Sequence, residues 1–374
     1  MGRDPARRLA AGPPSRALGW QDGRADREGA SSVSLEIDLL GTDPIEWDIF
    51  VRTSDEGTPF HLTAWKRVIE RTFGLRAHYL MAREQGRLKG ILPLFEVRGL
   101  LGGRALISVP YAVYGGICAT SQAARRALAD AAAAVGRTIG ARYVELRQRR
   151  DLGLGLPTKA LYVTFARAIS KNEEENAQAI PRKQRRMTRQ GAKNGLSAAI
   201  GRIHLDQVYD IYARSVRNLG SPVFPRRLFH AVYEAFEKDC QILVVRHDGR
   251  IVAGVVTLFH EDQVLPYYGA DLREPNLHGV ADFMYWELMC HAARSGYRAF
   301  DFGRSREGTG PYHFKRHWGF EPVPLPYQYI LLRGRALPDL SPSNPLFQRA
   351  AAIWKQLPLG VTNRLGPLLT RYLP

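Results

Sequence analysis

The chain has 374 residues, 45% of them hydrophobic, and a formal net charge of +17 with a sequence pI near 10. That length and apolar share belong to a self-folding protein of two ordinary domains, and no run approaches the roughly 20 apolar residues that a membrane-spanning helix needs. The cysteines, Cys118, Cys240 and Cys290, match neither a disulfide framework nor a metal-ligand spacing, so a reduced, cytoplasmic setting is expected, and the positive charge calls for an acidic partner: nucleic acid, an anionic membrane face or a phosphorylated substrate.

Residues 1–32, rich in Arg, Gly, Ala and Pro and without helical or strand period, read as a disordered basic leader outside the fold. A strand-like segment follows from Val33. Amphipathic helices come next at Ile45–Arg52 and Thr63–Thr72, then strands at His78–Arg83, Leu88–Val97 and Ala105–Pro110, an alanine-rich helix over Gln122–Ile139 and a strand at Tyr143–Arg147. The same order returns later, with strands at Gln241–His247, Ile251–His260 and Val264–Ala270, a helix over Asp282–Ser295 and a strand at Arg298–Gly303.

Three segment matches in one order indicate an internal duplication. Gly86–Phe95 aligns with Gly249–Phe259 apart from one inserted residue, Tyr114-Gly115-Gly116 with Tyr268-Gly269-Ala270, and Gly140–Leu146 with Gly296–Phe302. The competing explanation is that any two α/β units share hairpins and helix-ending glycines. Each copy reads as a mixed α/β sheet flanked by helices, the first over 33–168 and the second over 169–335.

The second copy opens on a basic helix, 180–195, that has no acid. Arg182, Arg185, Arg186 and Arg189 share one of its faces, which suits a polyanion or phosphate as readily as plain solvent. From Phe300 to Phe320 an alternating strand gives way to a loop of glycines and arginines and then to a short helix opened by Pro311 and stopped by Gly319. Backbone N–H groups at a helix start, with Arg304, Arg306 and Lys315 nearby, favour a phosphate or carboxylate, and Asp301 places one acid at the strand end. The tail, 336–374, interleaves apolar residues such as Leu346, Phe347, Ile353, Trp354, Leu365 and Leu368 with Arg349, Lys355, Arg364 and Arg371. It can lie on a membrane surface or pack on its own domain.

With those elements in place, the chain over roughly 35–335 resembles the FemAB-type peptidyltransferases, a branch of the GNAT acyltransferase superfamily. The resemblance rests on Pro181–Met187 with Lys193-Asn194-Gly195, on Val264–Gly269, on Asp282–Leu288, and on Phe300–Ser305 through Phe314-Lys315 and Trp318-Gly319-Phe320. It extends to the subgroup associated with exosortase and PEP-CTERM systems. The likeness implies tandem GNAT-like domains that transfer an acyl or aminoacyl group to an amine of a cell-envelope or exopolysaccharide precursor. The donor would be aminoacyl-tRNA or, alternatively, acyl-CoA, with no tightly bound cofactor. Gly279, in the loop opening the central helix, corresponds to a phosphate contact, although that loop is longer than the acyl-CoA type and its basic residue is too distant. The first copy has no comparable loop and is expected to shape an acceptor groove.

No Ser-His-Asp or Cys-His spacing suggests a covalent intermediate, so direct attack in a ternary complex is expected. In that scheme Lys315 and Arg304, with Arg306, Lys183 and Arg186, hold an anionic small-molecule or lipid-linked substrate. Tyr268 supplies a hydroxyl, and Asp301 or His313 is the base. The expected assembly is a monomer or weak dimer, cytoplasmic or peripheral at the inner membrane face. The alternatives are an acyl-CoA-dependent N-acetyltransferase acting on an amino sugar and a non-catalytic scaffold that binds RNA or lipid head groups.

Overall fold

A computed structural model describes residues 35–99, 103–274, 276–334, 336–338 and 345–373. The leader 1–32, residues 339–344 of the tail and the side chains of Leu346 and Phe347 lie outside the described residues.

Each half builds a sheet by the same steps. In the first, the hairpin of Ala77–Glu84 and Arg87–Arg98 adds Arg104–Ser108 antiparallel, and the helix Gln122–Thr138 then carries the chain to Tyr143–Arg147, parallel to Arg104–Ser108. In the second, Cys240–His247 and Arg250–His260 pair, Gln263–Asp271 adds antiparallel, and the helix Val280–Arg294 leads to Ala299–Asp301, parallel to Gln263–Asp271. Both hairpins slip register at the same place, between Ala82 and Arg83 and between Val245 and Arg246. The fold is a mixed α/β tandem, as the duplication implies.

Local chemistry accounts for the element ends. Ser121 caps the Gln122–Thr138 helix by accepting from the Ala124 N–H at 3.2 Å, and Gly74 ends the Thr63–Phe73 helix in the left-handed region at φ 64°. The helices Leu205–Leu219 and Arg226–Phe236, with the strand Ser197–Gly201 before them, fill a stretch that the sequence reading leaves unassigned. Their caps, His204 and Pro225, make no side-chain cap bond, so the usual start signal is missing.

The sheets share strands across the two halves. Val323–Leu331, near the end of the second half, inserts into the first sheet between Tyr143–Arg147 and Thr158–Thr164. Chain 158–168 belongs to both sheets: Thr158–Thr164 pairs in the first and Ala166–Ala168 pairs with Ala299–Asp301 in the second. Opposite it, Ser305–Arg306 returns to the first sheet against Tyr162 and Val163. Segments 162–168 and 299–306 therefore run antiparallel across the seam, and the Phe302 N–H donates to the Phe165 carbonyl at 2.8 Å in the gap.

A large apolar core sits between the halves, where the helix Thr63–Phe73 packs against Arg226–Phe236 and Trp65 meets Phe236 and Tyr267. A chain truncated before Val323 loses a central strand of the first sheet. Such a chain is expected to lose the cooperative thermal transition and the hydrogen-exchange protection of Tyr143–Arg147, and native-like protection of that strand would contradict the strand exchange.

Candidate active site

The seam positions a buried acid. Asp301 ends the strand Ala299–Asp301 and is only 2% exposed. Its Oδ1 accepts from the Gly303 N–H at 2.7 Å, which turns the chain, and Gly303 takes φ 66°, a conformation that glycine adopts without strain. Its other partners come from the first half: the Tyr114 hydroxyl donates to Oδ2 at 3.0 Å, and the Thr164 hydroxyl, 3.4 Å from Oδ1, has one proton to give either to that oxygen or to the Tyr114 oxygen. Tyr114 and Thr164 also share a short hydrogen bond. Burial and the adjacent Asp301 carboxylate push the Tyr114 phenol well above its ordinary range, so it stays protonated.

Lys315, on the helix Gly310–His317, lies behind this loop. Its ammonium donates to the carbonyls of Phe302 at 2.8 Å, Gly303 at 2.9 Å and Arg304 at 3.1 Å. An ammonium has three N–H donors, and all are engaged. Burial pulls its pKa down to about 7, opposed by Asp301 and reinforced by Arg304.

A cavity of about 330 Å³ opens on the other side of Tyr114 and Thr164, lined also by His61, Gly116, Arg147 and Gln148. Arg147 is fixed by its Nε to Glu145 at 2.8 Å and by its Nη1 to the carbonyls of Val109 and Ala112, which leaves its Nη2 without a partner among the described residues. The Gln148 amide nitrogen is buried and unpartnered. Arg149, also on the cavity wall, sits 5.0 Å over the Tyr114 ring. His61 uses both ring nitrogens, on the Thr58 hydroxyl and the Gly116 carbonyl, and burial lowers its pKa to about 4, so it is neutral. The cavity thus offers cationic and amide donors beside two hydroxyls that lead to a buried carboxylate.

Of the residues expected from sequence, Asp301, Arg304 and Lys315 meet at this loop. Neither Arg304 nor Lys315 lines the cavity, however. Direct substrate contact through Lys315 gives way to a clamp on the 302–304 carbonyls. Arg304 lies 4.6 Å over the Tyr162 ring and donates to the Tyr327 hydroxyl at 3.1 Å. Half-buried Arg306 follows in the strand paired with Tyr162.

The other expected residues stand elsewhere. Tyr268 faces the core between the halves, 4.6 Å from Phe229, with its hydroxyl unpartnered. Exposed His313 is on the outer face of its helix beside Tyr312 and His317. Gly279 faces the Met187 carbonyl, where the helix Arg182–Lys193 crosses the start of Val280–Arg294, and that close helix packing requires a residue without a Cβ. Lys183 and Arg186 lie on the exposed face of that basic helix, whose buried residues are Gln184, Thr188 and Gly191. Sequence reasoning missed Tyr114, Arg147, Gln148 and Thr164. Tyr114-Gly115-Gly116 did signal itself as a repeat match, and the expectation that the first copy shapes a groove pointed to the same half.

Residues 175–316 match the family described as acetyltransferase (GNAT) domain. With the two mixed sheets and their tandem order, this defines the protein as a GNAT-fold acyltransferase. The fold is similar to that of FemX, at 16% identity over 84% of this chain and 100% of that one, with a TM-score of 0.65. It is also similar to a tandem GNAT protein from the clavulanic acid biosynthesis pathway, at 14% identity over 81% and 100% of the two chains and a TM-score of 0.53. A third likeness is to the C-terminal domain of a protein described as a lysylphosphatidylglycerol synthetase from Agrobacterium fabrum, at 14% identity over 83% and 94% and a TM-score of 0.51. At such identities these structures share the fold. No curated protein matches in sequence.

Two measurements check this geometry. Lys315 has a folded pKa of about 7 against an ordinary 10.5, so the unfolded chain binds more protons between those values and stability rises with pH across that window. Lys315→Met should remove that rise in urea unfolding, and an unchanged pH slope would show that the amine is not buried as described. Gly279→Ala forces a Cβ onto the Met187 carbonyl at φ 80°, and a loss of about 1–3 kcal/mol is expected by denaturation.

Proposed function

We propose that the protein transfers an aminoacyl or acyl group to the amine of an anionic cell-envelope or exopolysaccharide precursor, by direct attack in a ternary complex. The observation that carries this reading is the chain of hydroxyls, Thr164 and Tyr114, running from the cavity wall to the buried Asp301 carboxylate. An acceptor amine in the cavity forms its C–N bond to the donor carbonyl as the ester or thioester bond breaks. Its proton passes through the hydroxyls to Asp301 and is then available to the leaving oxygen or sulfur. Arg147 and the Gln148 amide supply donors for an acceptor phosphate or carboxylate.

The charge of the Arg182–Lys193 helix supports an aminoacyl-tRNA donor. Arg182, Lys183, Arg186, Arg189 and Lys193 are exposed, and among the described residues they have no ion pair. A row of uncompensated cations complements a phosphate backbone. Gly279, pressed on Met187, does not favour a pyrophosphate at the start of the central helix.

The test offers labelled amino acid on charged tRNA, or labelled acetyl-CoA, with nucleotide-linked muropeptide and glucosamine phosphate as acceptors. Transfer from tRNA is expected, and Asp301→Asn should slow it by about 10²–10⁴-fold with little change in acceptor KM. Transfer from acetyl-CoA alone would overturn the donor assignment. A rate for Asp301→Asn within about threefold of the parent would remove Asp301 from the chemistry.

A further inference from the structure

The last two helices, Pro345–Gln356 and Leu359–Thr370, pack on Leu205–Leu219; the first buries Trp354, and the second packs with an inverted pattern. The residues that Leu359–Thr370 buries are Thr362, Gly366 and Thr370, at helical spacing and none of them a large apolar side chain. Gly366 allows that approach, since a Cβ there would sit 2.8 Å from the Val223 nitrogen. The large apolar residues point outward instead: Leu365 is 43% exposed and Leu368 66%, joined by Ile353 at 64% on the preceding helix and by Val361, Tyr372 and Leu373. Six of the twelve exposed large apolar side chains among the described residues fall between 353 and 373, so such exposure is concentrated in this segment of the chain.

The charge around the patch selects its occupant. From 345 to 373 the sequence has no Asp or Glu, and Arg349, Lys355, Arg364 and Arg371 are all exposed. A second copy docking face to face would bring these cations onto their equals, which opposes self-association. Phospholipid head groups of negative charge complement the cations while the apolar side chains enter the acyl boundary. Among the described residues no helix is long and apolar enough to cross a membrane, so the contact is one that lies on the surface.

We propose that the outward face of the two C-terminal helices is a docking surface for an anionic lipid bilayer. The anchor residues are Ile353, Leu365 and Leu368, and Arg349, Lys355, Arg364 and Arg371 read the head-group charge. This surface is independent of the transfer chemistry, and its test measures binding alone.

The experiment is flotation of the full-length protein with vesicles of phosphatidylethanolamine and phosphatidylglycerol, against vesicles of phosphatidylcholine only. The parent protein is expected to float with the anionic vesicles, less so as salt is raised, and to stay behind with the neutral ones. Leu365→Asp with Leu368→Asp changes two exposed side chains, and should weaken flotation by at least about tenfold while leaving the thermal transition in place. A milder variant, Arg364→Gln with Arg371→Gln, should reduce anionic binding without altering any apolar contact. Failure of the parent to float, or undiminished flotation of both variants, would overturn the proposal. So would a concentration-dependent dimer that the aspartate pair abolishes without vesicle binding, which would make the face a contact between copies.

Discussion

The antiparallel crossing of segments 162–168 and 299–306 at the seam is the constraint on which the rest depends. Each segment starts in one sheet and finishes in the other, so neither half completes its hydrogen bonding without the other. The crossing sets Thr164 and Asp301 side by side, and the loop that carries Tyr114 closes over them. Lys315 then holds the exposed carbonyls of 302–304, which have left one strand and not yet reached the next. An open turn at that point would leave those oxygens buried without donors, at a cost of about 1–3 kcal/mol each.

A cluster of buried charges is the consequence. Glu145 and Arg147 form an ion pair with side chains almost wholly buried, and Asp301 and Lys315 are buried nearby. Such groups are costly to bury and add stability only when their hydrogen bonds are complete. Asp301 and Lys315 meet that condition, through the Tyr114, Thr164 and Gly303 donors and through the three loop carbonyls. The Gln148 amide nitrogen does not, and it is on the cavity wall. A ligand acceptor bound in the cavity would meet that donor.

Much of the fold was legible in the sequence because it follows from local signals. The hairpins, the helices ended by glycines and the repeated order came from period and turn chemistry, and the Arg182–Lys193 and Gly310–His317 helices lie where composition put them. The insertion of Val323–Leu331 into the other half's sheet was not legible, since a strand's partner is a long-range choice with no local residue signal. Tyr268 shows how register hides a site. Its strand slips one residue between Val256 and Thr257 of the neighbouring strand, so that Tyr267 sits at a bulge. Tyr267 turns toward the first half and donates to the Tyr111 carbonyl at 2.7 Å, while Tyr268 faces the core. In the same way, Asp301 was found as a strand-end acid, but its hydroxyl partners come from residues 114 and 164, brought to it only by the seam.

The proposed transfer requires Tyr114 of one half and Asp301 of the other to work as one unit on the acceptor's proton. A double-mutant cycle on transfer rate with Tyr114→Phe and Asp301→Asn tests it most directly, since coupled groups are strongly non-additive. If the two act together, the double variant is no slower than Asp301→Asn alone. Independent, multiplying losses in the double variant would contradict it.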